Sequence, residues 1–456
     1  LRILIGENRF LFHNGGYTMT RKRVLKHASW VAALLLLLIG GLAAVANGPI
    51  VEPDADILYQ LDGEQLGDGY GWIAMNVGDI TGDGLDDLLT TAPFFADAVG
   101  TPAGKVYLYD GANGTLLHTI TGSSGAVLGY SATTAGDVNA DGVPDYVAGA
   151  LGGSYAEVYS GADHSLLLHV DGAGGDSFGS AVSGAGDVNG DGYADIIVGA
   201  STANDDNSGA AYLFSGADGA LLWQQNGPVA NAQLGSGTGL VGDVTGDGVP
   251  DQVMAASGAA EAYVFSGVDG RIVYTLRPTK PENAVVFGTF FASGAGDYNA
   301  DGVPDIFVAD YAATVDGAPG TGNAFVYSGE NGRVLAAFEG REPGAGFGPG
   351  RAVPDFTGDG YGDLVIAAWT SSAGTPAGGQ ILIISGNGPR PAQVVQTITG
   401  NIAGDNLGVD ALPLDDVNGD GLMDFVGTAV GNNFIGLDVG HLFVVAGGPN
   451  QPIRTP

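Results

Sequence analysis

The chain is 456 residues long, with a formal net charge of −35, 81 glycines, 21 prolines and no cysteine. Without cysteine there is no disulfide framework and no lipid-modified cysteine anchor. So large an excess of carboxylates also repels a phosphate backbone, which sets nucleic acid aside as a partner. Hydrophobic residues make up 45% of the chain, ample for a core, and the glycines fall at regular turn positions between apolar runs rather than in disordered tracts.

In chain order, residues 1–18 read as an extension upstream of Met19. Arg21, Lys22, Arg23 and Lys26 then make a basic start, and an apolar run follows from Trp30 to Ala46. Ala44-Val45-Ala46 fits a small-x-small cleavage site, so residues 19–46 are expected to be a cleaved export signal. The competing reading is an uncleaved anchor, for which 17 residues is short, since a membrane-spanning helix needs about 20. The mature chain is expected to begin near Asn47, to be secreted, periplasmic or displayed at the cell surface, and to have no membrane span. Residues 1–46 take six of the 15 basic and one of the 50 acidic side chains, which leaves nine and 49, a net of −40. Residues 47–56 read as a linker, 57–446 as a repeat domain and 447–456 as a tail.

Within residues 57–446 one unit recurs seven times, marked by a nine-residue loop with glycine at position six. Position one is Asp79, Asp137, Asp187, Asp243, Asp297, Asp355 and Asp416, at spacings of 58, 50, 56, 54, 58 and 61 residues. Position three is Thr81, Asn139, Asn189, Thr245, Asn299, Thr357 and Asn418. Position five is Asp83, Asp141, Asp191, Asp247, Asp301, Asp359 and Asp420, and position nine is Asp87, Asp145, Asp195, Asp251, Asp305, Asp363 and Asp424. Alternate side chains aimed into a tight loop surround a hard cation with oxygen, and the backbone carbonyl of position seven can join them. Position seven is Leu85, Val143, Tyr193, Val249, Val303, Tyr361 and Leu422. Oxygen-only donors exclude zinc and softer metals. Calcium is expected, up to seven ions, with the threonine-bearing loops the weaker sites. Asp, Asn and Gly also make good turns with no metal, but turn chemistry alone does not require carboxylates at both positions five and nine.

The remainder of the unit reads as four short strands. In the third copy they are Phe178 to the loop, Asp195–Ala200, Ala210–Phe214 and Ala220–Gln224, which we call A to D. Asp218-Gly219 marks the C–D hairpin, repeated at Asn113-Gly114, Asp269-Gly270 and Asn331-Gly332, with Asp163-His164 at the same place in the second copy. A repeat of roughly 50 residues made of four-stranded meanders is expected to build an all-β, seven-bladed β-propeller. The last unit stops after its strand C, whereas Ile57–Leu61 has strand D character ahead of the first strand A. Residues 57–61 are therefore expected to complete the last blade beside 441–446 and close the ring. The A–B loops then share one face. The longer B–C connections (92–104, 201–209, 310–323, 369–379 and 429–440) share the other with the D–A connection 277–286. Phe94, Phe95, Trp369 and Phe434 lie in or beside these connections and are expected to pack under their own loops.

About nine residues before each loop, a large apolar residue precedes glycine, as in Tyr70-Gly71, Leu128-Gly129 and Phe178-Gly179, and small residues such as Val198-Gly199-Ala200 close strand B. This pattern resembles the FG-GAP repeat of integrin α-subunit propellers. The resemblance implies a calcium-stabilised recognition or adhesion module whose B–C and D–A face binds a protein or a glycan. Catalytic constellations are absent. Gly175-Asp176-Ser177-Phe178-Gly179 matches a hydrolase nucleophile elbow in letters, but it leads into a strand where that motif needs a strand–turn–helix. The alternatives are an accessory propeller of a secreted polysaccharide- or lipid-degrading enzyme, or a propeller lectin. A lectin would place an aromatic at one loop position of each copy, whereas Trp72, Trp223 and Trp369 occupy three different places.

Overall fold

A computed structural model describes residues 48–52, 55–353, 355–386, 392–434 and 436–448. The export signal, the upstream extension, most of the C-terminal tail and the side chain of Phe434 lie outside the described residues.

Strand β1 (Ile57–Asp62) stands ahead of the first blade. Blade 1 is β2 (Ala74–Gly78), β3 (Asp87–Ala92), β4 (Lys105–Tyr109) and β5 (Leu116–Thr121). Blade 2 is β6 (Leu128–Gly136), β7 (Asp145–Ala150), β8 (Tyr155–Tyr159) and β9 (Leu166–Asp171). Blade 3 is β10 (Phe178–Gly186), β11 (Asp195–Ala200), β12 (Ala210–Phe214) and β13 (Leu221–Asn226). Blade 4 is β14 (Leu234–Gly242), β15 (Asp251–Ala256), β16 (Glu261–Phe265) and β17 (Ile272–Leu276). Blade 5 is β18 (Ala292–Gly294), β19 (Ile306–Asp310), β20 (Asn323–Tyr327) and β21 (Val334–Glu339). Blade 6 is β22 (Phe347–Val353), β23 (Asp363–Ala368), β24 (Gln380–Ser385) and β25 (Gln393–Thr399). Blade 7 is β26 (Leu407–Leu414), β27 (Asp424–Ala429) and β28 (His441–Val445), with β1 as its fourth strand. Every neighbouring pair of strands is antiparallel, and the fold is a seven-bladed β-propeller.

Burial explains the strand sequences. Strand B of each blade is buried on both faces, so β11 reads Asp-Ile-Ile-Val-Gly-Ala with no polar alternation after its aspartate. Strand D faces solvent on one side, and β21 alternates between exposed and half-buried residues. The first strands of successive blades touch around the ring, β26 against β2 included, and line its centre. The apolar residue at or ahead of the start of each strand A is buried, and Phe178 is only 1% exposed. Gly179 follows at φ +81°, where an added Cβ would lie 2.6 Å from the Tyr155 carbonyl oxygen, so only glycine fits.

The ring closes where β1 pairs with β28, with Leu61 opposite Leu442 and Asp62 opposite His441. Just upstream, the chain also grips the edge of blade 6. Val51 N–H donates to Thr399 O at 2.9 Å, Asn401 N–H donates to Pro49 O at 2.8 Å, and Ile50 joins the apolar core between blades 6 and 7. Blade 5 has the shortest strand A. It runs only from Ala292 to Gly294, and just ahead of it Phe290 takes a left-handed φ of 65°, rare for a bulky residue.

Candidate metal loops and the aromatic channel mouth

Five of the seven acidic loops leave strand A at a glycine, whereas Pro354 precedes Asp355 and Asp415 precedes Asp416. In blade 3 the register slips between Gly184 and Gly186, opening the hairpin just ahead of Asp187. The position-one carboxylate then organises the turn. Asp187 Oδ1 accepts the N–H groups of Gly190 (2.8 Å) and Asp191 (3.1 Å), and Oδ2 accepts that of Gly192 (2.9 Å). In all seven loops the position-six glycine N–H bonds to the position-one Oδ2. In all seven the position-seven N–H bonds to the position-five Oδ1, leaving the other position-five oxygen outside that turn.

Position nine has a second structural task. Asp195 Oδ2 accepts Val188 N–H at 2.8 Å, whereas Oδ1 accepts Gly216 N–H at 2.9 Å from the C–D turn of the same blade. Every blade repeats this tie, to Gly111, Gly161, Gly216, Gly267, Gly329, Gly386 and Gly447. The glycine is required by space, since a Cβ on Gly216 would lie 1.9 Å from the Ala194 carbonyl oxygen. Sequence reasoning treated position nine only as a ligand. The missed signal was the glycine that follows strand C in each copy.

The electrostatics of the two ends differ. Burial pushes the position-nine carboxyls up, to about 6 for Asp305, Asp363 and Asp424, despite the N–H groups they accept. For Asp79 and Asp243 burial acts upward too, but the backbone N–H groups at position one outweigh it and hold both below the usual carboxylate range. A dication in the loop would favour the ionised form at every position.

The residues fit such an ion. In the loop from Asp355, one oxygen each of Asp355, Asp359 and Asp363 lies within 4.8 Å of the others, the one such triple among the described residues. Ser385 donates to Asp359 there at 2.9 Å. In the loop from Asp297, Asn299 Oδ1 is buried without a hydrogen-bond partner, an oxygen that a cation would satisfy. The Oδ1 atoms of Asn139, Asn189 and Asn418 instead accept the position-five N–H at 2.8–2.9 Å. The hydroxyls of Thr81, Thr245 and Thr357 stand 3.4–3.5 Å from the position-one carboxylate.

On the opposite face the central channel ends in aromatic rings. Trp72, Phe290, Phe291, Tyr311 and Trp369 line a cavity of about 170 Å³ together with Ile73, Pro349 and Val409. Phe290 meets Trp72 edge-on at 5.4 Å, and Tyr311 meets Trp369 edge-on at 6.3 Å. Trp72 and Trp369 come from different places in the repeat, yet the ring brings them into one pocket. Trp223 stays apart, its Nε1 donating to Gly267 O at 3.1 Å between blades 3 and 4. The loop aromatics also reach beyond their own loops, Phe94 packing on Trp72 at 6.0 Å. Ser177, in the elbow-like pentapeptide, shares a hydrogen bond with Thr202 at 2.7 Å and directly precedes strand β10.

A family model described as FG-GAP repeat matches residues 70–109 and 178–214, each running from strand A to strand C of a blade. The chain carries FG-GAP repeats. Over 94 residues it is 36% identical to mouse integrin alpha-7, covering 20% of this chain and 8% of that protein. It is 34% identical to Drosophila melanogaster integrin alpha-PS2 over 104 residues and 33% identical to Xenopus laevis integrin alpha-5 over 125 residues. The matched part of this FG-GAP propeller thus spans about a tenth of the length of these curated relatives. Among the described residues, no helix is long and apolar enough to cross a membrane.

Proposed function

We propose that this FG-GAP propeller is an exported, non-catalytic recognition module that calcium stiffens on one face and that binds a protein or glycan on the other. The observation that carries the reading is the sevenfold recurrence of one carboxylate arrangement, joined by the partnerless Asn299 Oδ1. The side chains at positions one, three, five and nine and the carbonyl of position seven would hold the ion. Calcium there supplies positive charge to clustered carboxylates and pins each A–B hairpin. The likeness to integrin α-subunits supports adhesion as the setting.

The recognition surface is the aromatic channel mouth. Its rings are fixed by mutual packing, and Phe290 is held in a strained conformation of the kind that clusters at binding sites. The test is a calcium titration by calorimetry on the mature chain, followed by a pull-down from surface extracts and a glycan array, each with and without calcium. Saturable calcium binding with calcium-dependent capture that Trp72→Ala abolishes is the expected result. No heat of calcium binding, or capture indifferent to Trp72, sinks the reading.

A further inference from the structure

The joints between blades follow a rule that one of them breaks. In each blade one residue of strand D pairs with the fourth residue of strand C, which makes Tyr59, His118, Leu168, Trp223, Tyr274, Ala336 and Gln396 equivalent. The large ones reach the C–D turn of the next blade. Tyr274 Oη donates to Glu330 O at 2.7 Å, Trp223 Nε1 donates to Gly267 O, and His118 stacks on His164 at 4.6 Å. At blade 5 the residue is Ala336.

The facing strand breaks the rule at the same joint. Strand C contributes the rings Tyr107 and Tyr109 in blade 1, Tyr212 and Phe214 in blade 3, Tyr263 and Phe265 in blade 4, and Phe325 and Tyr327 in blade 5. At those same two positions blades 2 and 7 supply one ring each, Tyr159 and Phe443. The equivalent residues of blade 6, Leu382 and Ile384, are aliphatic. Where blade 7 has Val445 for its second ring, Ile50 of the N-terminal arm completes the packing. Between blades 5 and 6 a cavity of about 590 Å³ remains, lined by Phe338, Leu382, Ile384 and Val394, with the charged residues Glu339, Arg341 and Glu342 also in its lining. Both carboxylates are engaged, Glu339 by Lys280 at 3.4 Å and Glu342 by the Ser371 hydroxyl at 2.7 Å. Protein interiors hold few voids larger than a water molecule, whereas ligand pockets of about 300–1,000 Å³ are ordinary. Arg341 is exposed and makes no ion pair among the described residues, although the chain carries 50 carboxylates.

We propose that the joint between blades 5 and 6 binds a small molecule with an aromatic body and an anionic head. The ring takes the place that aromatic side chains fill at the other joints, and Arg341 receives the anion. The site lies on the flank of the propeller and does not depend on the calcium loops.

The test is a fluorescence titration of the full chain with 1-anilinonaphthalene-8-sulfonate and with its uncharged analogue N-phenyl-1-naphthylamine. Both are expected to bind saturably. Leu382→Tyr combined with Ile384→Phe installs the rings of blade 3, and is expected to abolish binding of both probes while raising the melting temperature. Val394→Trp blocks the groove from a position already 53% exposed, so it serves if the core variant fails to fold. Arg341→Ala is expected to weaken the sulfonate probe by about fivefold, the range of an exposed charge pair, and to leave the neutral probe unchanged. No saturable binding, or binding unaltered in a folded groove-filling variant, overturns the proposal. Equal loss of both probes in Arg341→Ala overturns the role of the anion.

Discussion

Arg351 Nη2 lies 2.8 Å from Asp410 Oδ2, and that same carboxylate oxygen accepts the backbone N–H of Ala74 at 3.1 Å. Arg351 also donates to Ala74 O at 2.9 Å. The pair therefore stitches the first strands of blades 6, 7 and 1 across the stretch where the ring must close. Asp410 is 1% exposed. Burial raises its pKa, and the guanidinium only partly offsets that. Removing one partner leaves an uncompensated buried charge, which typically costs 3–5 kcal/mol, whereas replacing both by apolar groups is often neutral. Arg351→Ala is thus expected to destabilise the chain by about 3–5 kcal/mol in chemical denaturation. Arg351→Met with Asp410→Leu is expected to recover most of the loss. A double variant as unstable as the single one would mean that the pair holds the closure by geometry rather than by charge balance.

The closing strand carries a titratable latch. His441 Nδ1 stands 2.8 Å from Asp62 Oδ1 at the end of β1, and its Nε2 stands 3.2 Å from Asp438 Oδ2. Burial acts to lower the imidazole pKa, but the hydrogen bonds to Asp62 and Asp438 and the charge of Asp405 win and raise it. A raised histidine pKa stabilises the fold fully below the unfolded value of about 6.5. That contribution is lost as pH climbs through the higher folded value. Asp405, pushed up to about 6 by burial, also makes stability fall with rising pH, but in a lower window. Amide exchange in residues 57–62 is expected to accelerate as pH rises above about 6.5, and His441→Gln is expected to flatten the dependence. Acceleration that persists in His441→Gln, beyond the intrinsic exchange rate, would place the titration elsewhere.

Calcium removal is the broadest test of the acidic loops. At a free concentration ten times Kd, one site adds roughly 1.4 kcal/mol, and seven add about 10 at most. That total rivals the stability of a whole domain. Chelation is expected to lower the melting temperature by many degrees and to hasten cleavage in the A–B loops. An unchanged melt in excess chelator removes calcium from the account.

Periodicity decided how much was legible in the residue string. The loops and strands recur in register, so the blade number, the strand order and the surplus strand at Ile57–Leu61 could all be read directly. The channel mouth could not. Trp72 precedes β2 whereas Trp369 follows β23, and only the curvature of the ring brings them together. The left-handed Phe290 is equally invisible, because Thr289-Phe290-Phe291 looks like an ordinary start to a strand. The double task of position nine was hidden for another reason. The spacing of a carboxylate shows that it can point into a loop, but it does not show which distant N–H waits on its other oxygen.

That double task separates two aspartates of one loop. Asp191 uses Oδ1 for a single turn hydrogen bond to Tyr193 N–H, and it is exposed. Asp195 is wholly buried and joins Val188 N–H to Gly216 N–H, so it fastens the A–B loop to the C–D turn whether or not an ion is present. Leaving buried donors unmatched costs about 1–3 kcal/mol apiece. Asp195→Ala is therefore expected to lose about 2–6 kcal/mol even in excess chelator. Asp191→Ala is expected to lower stability by about 1 kcal/mol in calcium and very little without it. Denaturation of the two variants with and without chelator checks this. If both lose stability only in calcium, the tie to Gly216 contributes little and position nine acts through the metal alone.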